Sequence, residues 1–382
     1  MSIRPDYEKQ SLVNLSSAIA SYIGNQSSYP ELVIGDQSIT DTHSSLLLLV
    51  IDGLGYNCLR RQIHSGPLRD NLTARLTSVF PPSTGPVISS LFTATPPAQH
   101  GITGWYVYLK ELGVVTQFLP FVTMANNHPM DIKISDFIGS SSILRAPRVK
   151  SVTVQPEDIV DSKYSSYMSG HSHREGYEGL GDLIDSLSFE LSRKGKKFVY
   201  AYYGELDHLS HKFGCEHEKT LNHLELIDEK IGNFLEHNLP RDVRVIITAD
   251  HGMVDATRDT LILGEDHPAL TDTLTMPVCG DTRTGYCYVR PSRVDNFLNY
   301  IDDNLSHACY VRESSELVDE GWFGYKTPSP TFEGRIGDYV LMMKENYAYL
   351  NHFPGRNRKI ILGHHGGVSE EEMYVPLIVF ER

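Results

Sequence analysis

The stretch Val199-Tyr-Ala-Tyr-Tyr-Gly-Glu-Leu-Asp-His-Leu-Ser-His211 joins an apolar run of strand length, Phe198 to Tyr203, to what reads as the opening turn of a helix after Gly204. Asp207 and His211 stand four apart, so both side chains leave one face of that helix. A hard carboxylate and an imidazole at this spacing can close on one divalent cation once other segments complete the shell. An isolated D-x-x-x-H is more often a surface pair. The reading therefore depends on partners elsewhere in the chain.

Two further segments supply them. Ser45-Leu-Leu-Leu-Leu-Val-Ile51 is a continuous apolar run, the pattern of a strand buried on both faces, and it ends at Asp52-Gly53-Leu54-Gly55. Val243-Arg-Val-Ile-Ile-Thr-Ala249 repeats the arrangement and ends at Asp250-His251-Gly252-Met253. In open α/β sheets ligands bind at the carboxyl ends of the strands. Acids placed just past three strands therefore point to one shared rim.

A third element is a hydroxyl. Leu76 to Phe80 reads as a strand, Pro81-Pro82-Ser83-Thr84-Gly85-Pro86 breaks it, and Val87 to Phe92 resumes as a helix. A hydroxyl in a stiff turn before a helix has free backbone N–H groups beside it, a setting that suits an anion. Ser83 and Thr84 compete as nucleophile. His100 is expected as a hydrogen-bonded structural residue before Gly101 rather than a ligand. Near the end, Gly363-His364-His365-Gly366-Gly367 precedes a terminal strand at Val375 to Phe380, and spacing does not decide which histidine binds.

With 382 residues and 40% hydrophobic content, the chain can bury a large α/β core carrying an insertion. Residues 1–43 read as a lead-in with a helix near 11–23. The catalytic α/β core spans 44–255 and 351–382, with a central, mostly parallel sheet flanked by helices. Residues 256–350 read as an inserted α+β cap with strands at 285–290 and 338–343 and a helix at 294–301. The segment 106–197 reads as loops and covering elements, with a strand at 114–118 and a helix at 180–193. Leu221, Leu224, Ile227, Ile231 and Phe234 recur at helical spacing over 218–236.

A net charge of −14 argues against a nucleic-acid duplex or an anionic membrane as partner, since both reward a basic surface. A small anionic substrate stays open, because bound cations reverse the local field. The longest apolar run, Leu46 to Ile51, is far too short to cross a bilayer, and the first thirty residues lack a secretory signal pattern. Five cysteines, at 58, 215, 279, 287 and 309, form no C-x-x-C pair and suit reduced thiols. A cytoplasmic protein is expected.

Asp52, Thr84 or Ser83, Asp207, His211, Asp250, His251 and one of His364 or His365 make three carboxylates and three imidazoles with no thiolate. That donor set suits two cations, Zn²⁺ above all, with Mn²⁺ or Fe as alternatives and Mg²⁺ disfavoured. Two cations about 4 Å apart clamp the attacking and leaving oxygens of an in-line phosphoryl displacement. Covalent transfer to Thr84 followed by hydrolysis is the reaction this set suggests.

The ordered motifs carry a resemblance as well. Asp52, F-P-P-S-T at 80–84, H-G-I at 100–102, D-x-x-x-H at 207–211, A-D-H-G at 249–252 and H-G-G at 365–367 resemble the alkaline phosphatase superfamily, and within it the type I phosphodiesterase/nucleotide pyrophosphatase family. The resemblance implies an alkaline-phosphatase-like core and Thr84 as nucleophile. It implies one metal site of Asp52, Asp250, His251 and the Thr84 oxygen, and another of Asp207, His211 and His365. Gly85 and Trp105 fall beside the substrate. Trp105 stands where nucleotide pyrophosphatases of the family carry a phosphate-binding Asn. The implied activity is metal-dependent hydrolysis of phosphodiester or pyrophosphate bonds in a small phosphate ester or nucleotide. A phosphomonoesterase, phosphonate hydrolase or phosphomutase on the same scaffold is the alternative.

Overall fold

A computed structural model describes residues 2–41, 45–351 and 360–381. Its main sheet has seven strands, in the order Leu72–Thr77, Tyr374–Glu381, Val243–Thr248, Ser45–Ile51, Lys197–Tyr203, Lys150–Pro156 and His173–Tyr177. The five strands from Val243–Thr248 to His173–Tyr177 run parallel, and Tyr374–Glu381 is antiparallel to its neighbours. Every residue of Ser45–Ile51 is buried, as an all-apolar central strand requires. Truncating one of its leucines to alanine would cost about 2–5 kcal/mol.

Helices Leu180–Ser192 and Glu218–Asn233 turn their apolar residues inward, with Leu183, Leu187, Leu224, Ile227 and Ile231 buried in the core beside the sheet. The lead-in contributes to the core too. Helix Leu12–Tyr22 is closed by a capping box between Ser11 and Asn14, and most of its residues are buried. It packs along helix Thr84–Thr93, and the Ser16 hydroxyl donates to the Leu91 carbonyl at 2.6 Å.

A second seven-stranded sheet is antiparallel throughout. It runs Cys309–Glu313, Tyr339–Met343, Thr284–Cys287, Cys279–Gly280, Tyr106–Leu109, Val114–Gln117, Val122–Thr123. The segment expected as loops and covering elements with one strand at 114–118 thus supplies that strand and two others here, and two more, Lys150–Pro156 and His173–Tyr177, to the main sheet. Lys150–Pro156 escapes a hydrophobic reading because it buries Ser151, Thr153 and Gln155 among its valines, with Thr153 satisfied by the Ser169 hydroxyl at 3.0 Å. The strand expected at 76–80 lies at Leu72–Thr77 instead. From Ser78 the chain leaves the sheet, its N–H donating to the Met373 carbonyl and its hydroxyl to the Asp250 carbonyl. No helix among the described residues is long and apolar enough to cross a membrane.

Candidate active site

Three neighbouring parallel strands end level with one another, because Tyr203 pairs with Ile51 and Thr248 with Val50. Each releases an acid just beyond its end: Asp52, Asp207 and Asp250. Adjacent strands lie about 4.8 Å apart, so the acids meet at one rim. Gly53 lets this happen. Its φ is +76°, and a Cβ there would press on the Asp207 backbone and the Met253 sulfur at 3.2 Å.

Asp52, Asp250 and His251 form one compact donor triplet, and Asp207, His251 and His365 a second that shares His251. His251 Nε2 lies 3.4 Å from both Asp52 Oδ1 and Asp250 Oδ2, and 3.4 Å from Thr84 Oγ1. His211 stands one step outside the second triplet, its Nε2 3.3 Å from Asp207 Oδ2 and its ring 5.2 Å from that of His365. All seven residues expected as metal ligands therefore stand together. Asp52, Asp250 and His251 are buried at the floor, whereas Asp207, His211 and His365 are partly exposed at the mouth.

The hydrogen bonds divide each side chain into a held end and an open one. Tyr202 Oη donates to Asp52 Oδ2, while Asp52 Oδ1 has no hydrogen-bond partner. Gly53 N–H and His251 N–H donate to Asp250 Oδ1 at 3.2 and 2.9 Å, while Asp250 Oδ2 has none. Asp207 Oδ1 and His365 Nδ1 are likewise buried without a partner. The nitrogen facing a carbonyl must be the donor, so His211 Nδ1 donates to Gly363 O at 2.7 Å and His251 Nδ1 to Gly252 O at 3.2 Å. Both histidines then present the Nε2 lone pair to the acids.

Burial dominates the electrostatics. It pushes Asp207 and Asp250 up to about 7, Asp207 with help from the Asp52 charge and Asp250 from that of Asp207. Asp52 is raised well above the usual carboxylate range by burial and by Asp250, against the Tyr202 and Thr84 hydrogen bonds. Burial lowers His251 to about 3 and His365 well below an ordinary imidazole, each reinforced by its histidine neighbours. Acids that resist ionising, bases that resist protonation and four orphaned donor atoms are what a cradle for divalent cations presents when the cation charge is left out. The donor set fits such ions.

The remaining expectations sort cleanly. His364 is committed elsewhere, its Nδ1 accepting from the Thr282 hydroxyl at 3.0 Å and its Nε2 donating to Ile361 O at 3.2 Å. His100 is structural, with Nδ1 accepting from Ile102 N–H and Nε2 3.0 Å from the Ser90 hydroxyl. Ser83 is fully buried and donates to Asp281 Oδ1 at 2.8 Å, which takes its hydroxyl away from the rim. Gly85 follows Thr84 in the first turn of helix Thr84–Thr93, packed under the Gly104 carbonyl, and Trp105 is half-buried.

Two participants went unread in the sequence. Tyr202 lies inside the strand quoted first, where its hydroxyl is hidden by an apolar context. Asp281 belongs to no motif and reaches the 81–86 turn only through the second sheet. Burial raises its carboxyl to about 7 against the Ser83 and Trp105 hydrogen bonds.

The profile of the type I phosphodiesterase/nucleotide pyrophosphatase family matches residues 46–367. The chain belongs to that family. Human bis(5'-adenosyl)-triphosphatase ENPP4 is 26% identical over 323 residues, 76% of this chain and 69% of its own length. Mouse ectonucleotide pyrophosphatase/phosphodiesterase family member 7 is 26% identical over 121 residues, and there the match spans 31% of this chain and only 27% of the relative. Among solved structures, murine ectonucleotide pyrophosphatase/phosphodiesterase 5 superposes with a TM-score of 0.67 at 17% identity, covering 88% of each chain. Phosphonoacetate hydrolase from Sinorhizobium meliloti 1021, in complex with phosphonoacetate, gives 0.64 at 17% identity, covering 91% of this chain and 92% of that one. These two likenesses concern the fold, an α/β core of the alkaline-phosphatase kind.

Proposed function

We propose that this chain hydrolyses phosphodiester or pyrophosphate bonds of small phosphate esters or nucleotides, with Thr84 as nucleophile and two divalent cations, most simply Zn²⁺. The observation that carries the reading is the convergence of Asp52, Asp250 and His251 with Asp207 and His365 beside the Thr84 hydroxyl. Asp52, Asp250, His251 and Thr84 would hold one cation, and Asp207, His211 and His365 the other. When bound, the cations supply Lewis acidity to the attacking and leaving oxygens.

The chain's own groups do the rest. Thr84 Oγ1 lies 3.4 Å from His251 Nε2, among the side chains that would hold the first cation, so its hydroxyl is placed at the rim to release its proton to water as the oxygen attacks phosphorus. An O–P bond forms at Thr84 and the bond to the leaving oxygen breaks; water then cleaves the phosphothreonine. The first turn of helix Thr84–Thr93, Gly85 included, offers N–H groups to the phosphoryl oxygens. Half-buried Trp105 would take the place of a polar phosphate ligand and give a leaving group a ring to stack on.

A murine relative of this fold has been solved in an inactive form in complex with AMP, which supports a nucleotide as substrate class. The five cysteines are unpaired, which supports a reducing, cytoplasmic setting. We assign 44–255 and 351–382 to the catalytic core, 1–43 to its lead-in and 256–350 to the cap.

The test compares bis(p-nitrophenyl) phosphate with p-nitrophenyl phosphate on the metal-loaded enzyme and its Thr84→Ala variant. Diester preference and loss of turnover in the variant are expected. A large monoester preference would instead support a phosphomonoesterase, and retained activity would move the nucleophile to Ser83 or to water.

A further inference from the structure

Helix Thr84–Thr93 opens without a side-chain cap, although its N-cap residue, Ser83, has the extended backbone (φ −140°, ψ 148°) from which serine normally caps. The reason is Asp281. Its Oδ1 takes the Ser83 hydroxyl at 2.8 Å and the Trp105 N–H at 3.2 Å. Its Oδ2 is buried without a partner beside Gly104, at 2.9 Å from where a Cβ on that glycine would sit.

The hairpin that carries Asp281 is wedged between the loops of the site. Asp281 N–H closes the turn on Thr284 O at 2.8 Å, the Thr284 hydroxyl donates to Gly366 O at 2.5 Å, and the Thr282 hydroxyl holds His364. Gly366, at φ +100°, has no room for a side chain, since a Cβ would come within 2.9 Å of Asp281 Cβ. The carboxylate is thus fixed from both sides, and so is the Ser83 hydroxyl.

The consequence concerns one N–H. A serine N-cap accepts from the second or third residue of its helix. Here the third residue is Pro86, which has no N–H, so Gly85 is the one donor a capping Ser83 would consume. We propose that Asp281 is a positioning residue: by holding the Ser83 hydroxyl off the helix end it keeps the Gly85 N–H open for a phosphoryl oxygen, and through Trp105 N–H it sets the opposite lip of the same anion site. This rests on the reading of the rim as a phosphoryl site, with the cap hairpin as the part that sets its donors.

The test is orthophosphate affinity, measured by calorimetry on manganese-loaded wild type, Asp281→Ala, Asp281→Asn and the Ser83→Ala/Asp281→Ala double variant, with thermal unfolding followed in parallel. Loss of a hydrogen bond to an anion predicts about tenfold or more weaker binding for D281A. D281N, which keeps the acceptor oxygen, should stay within about threefold of wild type, and the double variant should recover most of the D281A loss because no hydroxyl remains to cap Gly85. A purely structural aspartate would give no recovery on removing Ser83.

A double variant no better than D281A, a D281A with wild-type affinity, or a wild type that binds no phosphate overturns the proposal. If D281A does not fold, Ser83→Ala decides: phosphate affinity near wild type supports a hydroxyl parked on Asp281, and a tenfold loss contradicts it. A wild type that binds phosphate but turns over neither aryl ester contradicts the hydrolase reading alone and leaves these ratios as the test of Asp281.

Discussion

His251 and His365 stack face to face, with ring centroids 3.8 Å apart and 19° between their planes, although 114 positions separate them in the chain. This pair is the seam between the two donor triplets. Both rings are held neutral by burial, so neither repels the other and both keep lone pairs for a cation.

The two adjacent histidines of the H-H-G-G loop should therefore behave differently. His365→Ala is expected to lose about one bound cation per chain and to cut kcat/KM by about 100-fold or more, beyond the 10–100-fold typical of residues that only support a ligand. His364→Ala should keep its metal content and lose stability, since that ring is fully buried and hydrogen-bonded to Thr282. Elemental analysis of both variants checks this; metal loss in H364A with retention in H365A would reverse the assignment.

Tyr202 fixes one oxygen of Asp52 and leaves the other free. Tyr202→Phe should weaken metal affinity by about 10–100-fold while the protein stays folded. A competition titration against a zinc chelator reads the shift. An unchanged affinity would mean that the Asp52 carboxylate needs no such anchor.

Arg283 and Glu372 form a buried bidentate pair at 2.7 and 2.9 Å, and Glu372 also receives Gly367 N–H and the Ser369 hydroxyl. The pair ties the second sheet to the loop that delivers His365. Arg283→Met leaves the carboxylate buried without its counter-charge and should cost about 3–5 kcal/mol in urea unfolding. A loss under about 1 kcal/mol would show the charge pair to be dispensable.

Proton linkage gives a further expectation. Asp207 and Asp250 rise from 3.8 to about 7, so their contribution favours the folded state below pH 3.8 and is lost as pH climbs through about 7. His100, His251 and His364, lowered from 6.5 to about 3, act in the opposite sense, adding stability up to about pH 6.5. Above that only the carboxylates continue to titrate. Chelator-treated protein should therefore lose Tm from about pH 6.5 to about pH 8, whereas manganese-loaded protein should lose much less, since the cation replaces the protons of Asp207 and Asp250 while buried Asp281, also raised to about 7, still gives up its own. A chelated Tm that rises over this interval would contradict the cradle.

Much of this was legible in the sequence for a physical reason: where a segment is buried on both faces, composition alone announces it. Ser45–Ile51 is buried along its whole length and Val243–Thr248 at every position but Arg244, and the acids that follow stand out against these apolar runs. Leu221 was the exception in its helix, absent from the buried face that Leu224, Ile227 and Ile231 form. Lys150–Pro156 was missed because it buries polar side chains among its valines, Thr153 meeting the Ser169 hydroxyl outside the strand, which no local apolar pattern records. The second sheet was only half visible, since Tyr106–Leu109 meets the 279–287 hairpin through Gly280 alone. Asp281 was invisible for the same reason: its meaning lies in Ser83 and Trp105, 198 and 176 positions away.

The most direct measurement is the metal content of zinc-loaded wild type and Thr84→Ala, set beside their turnover of bis(p-nitrophenyl) phosphate. About two ions per chain in both proteins, with turnover in the wild type alone, is the expected result. Clearly fewer than one ion per chain in the wild type would contradict a two-cation site at this rim.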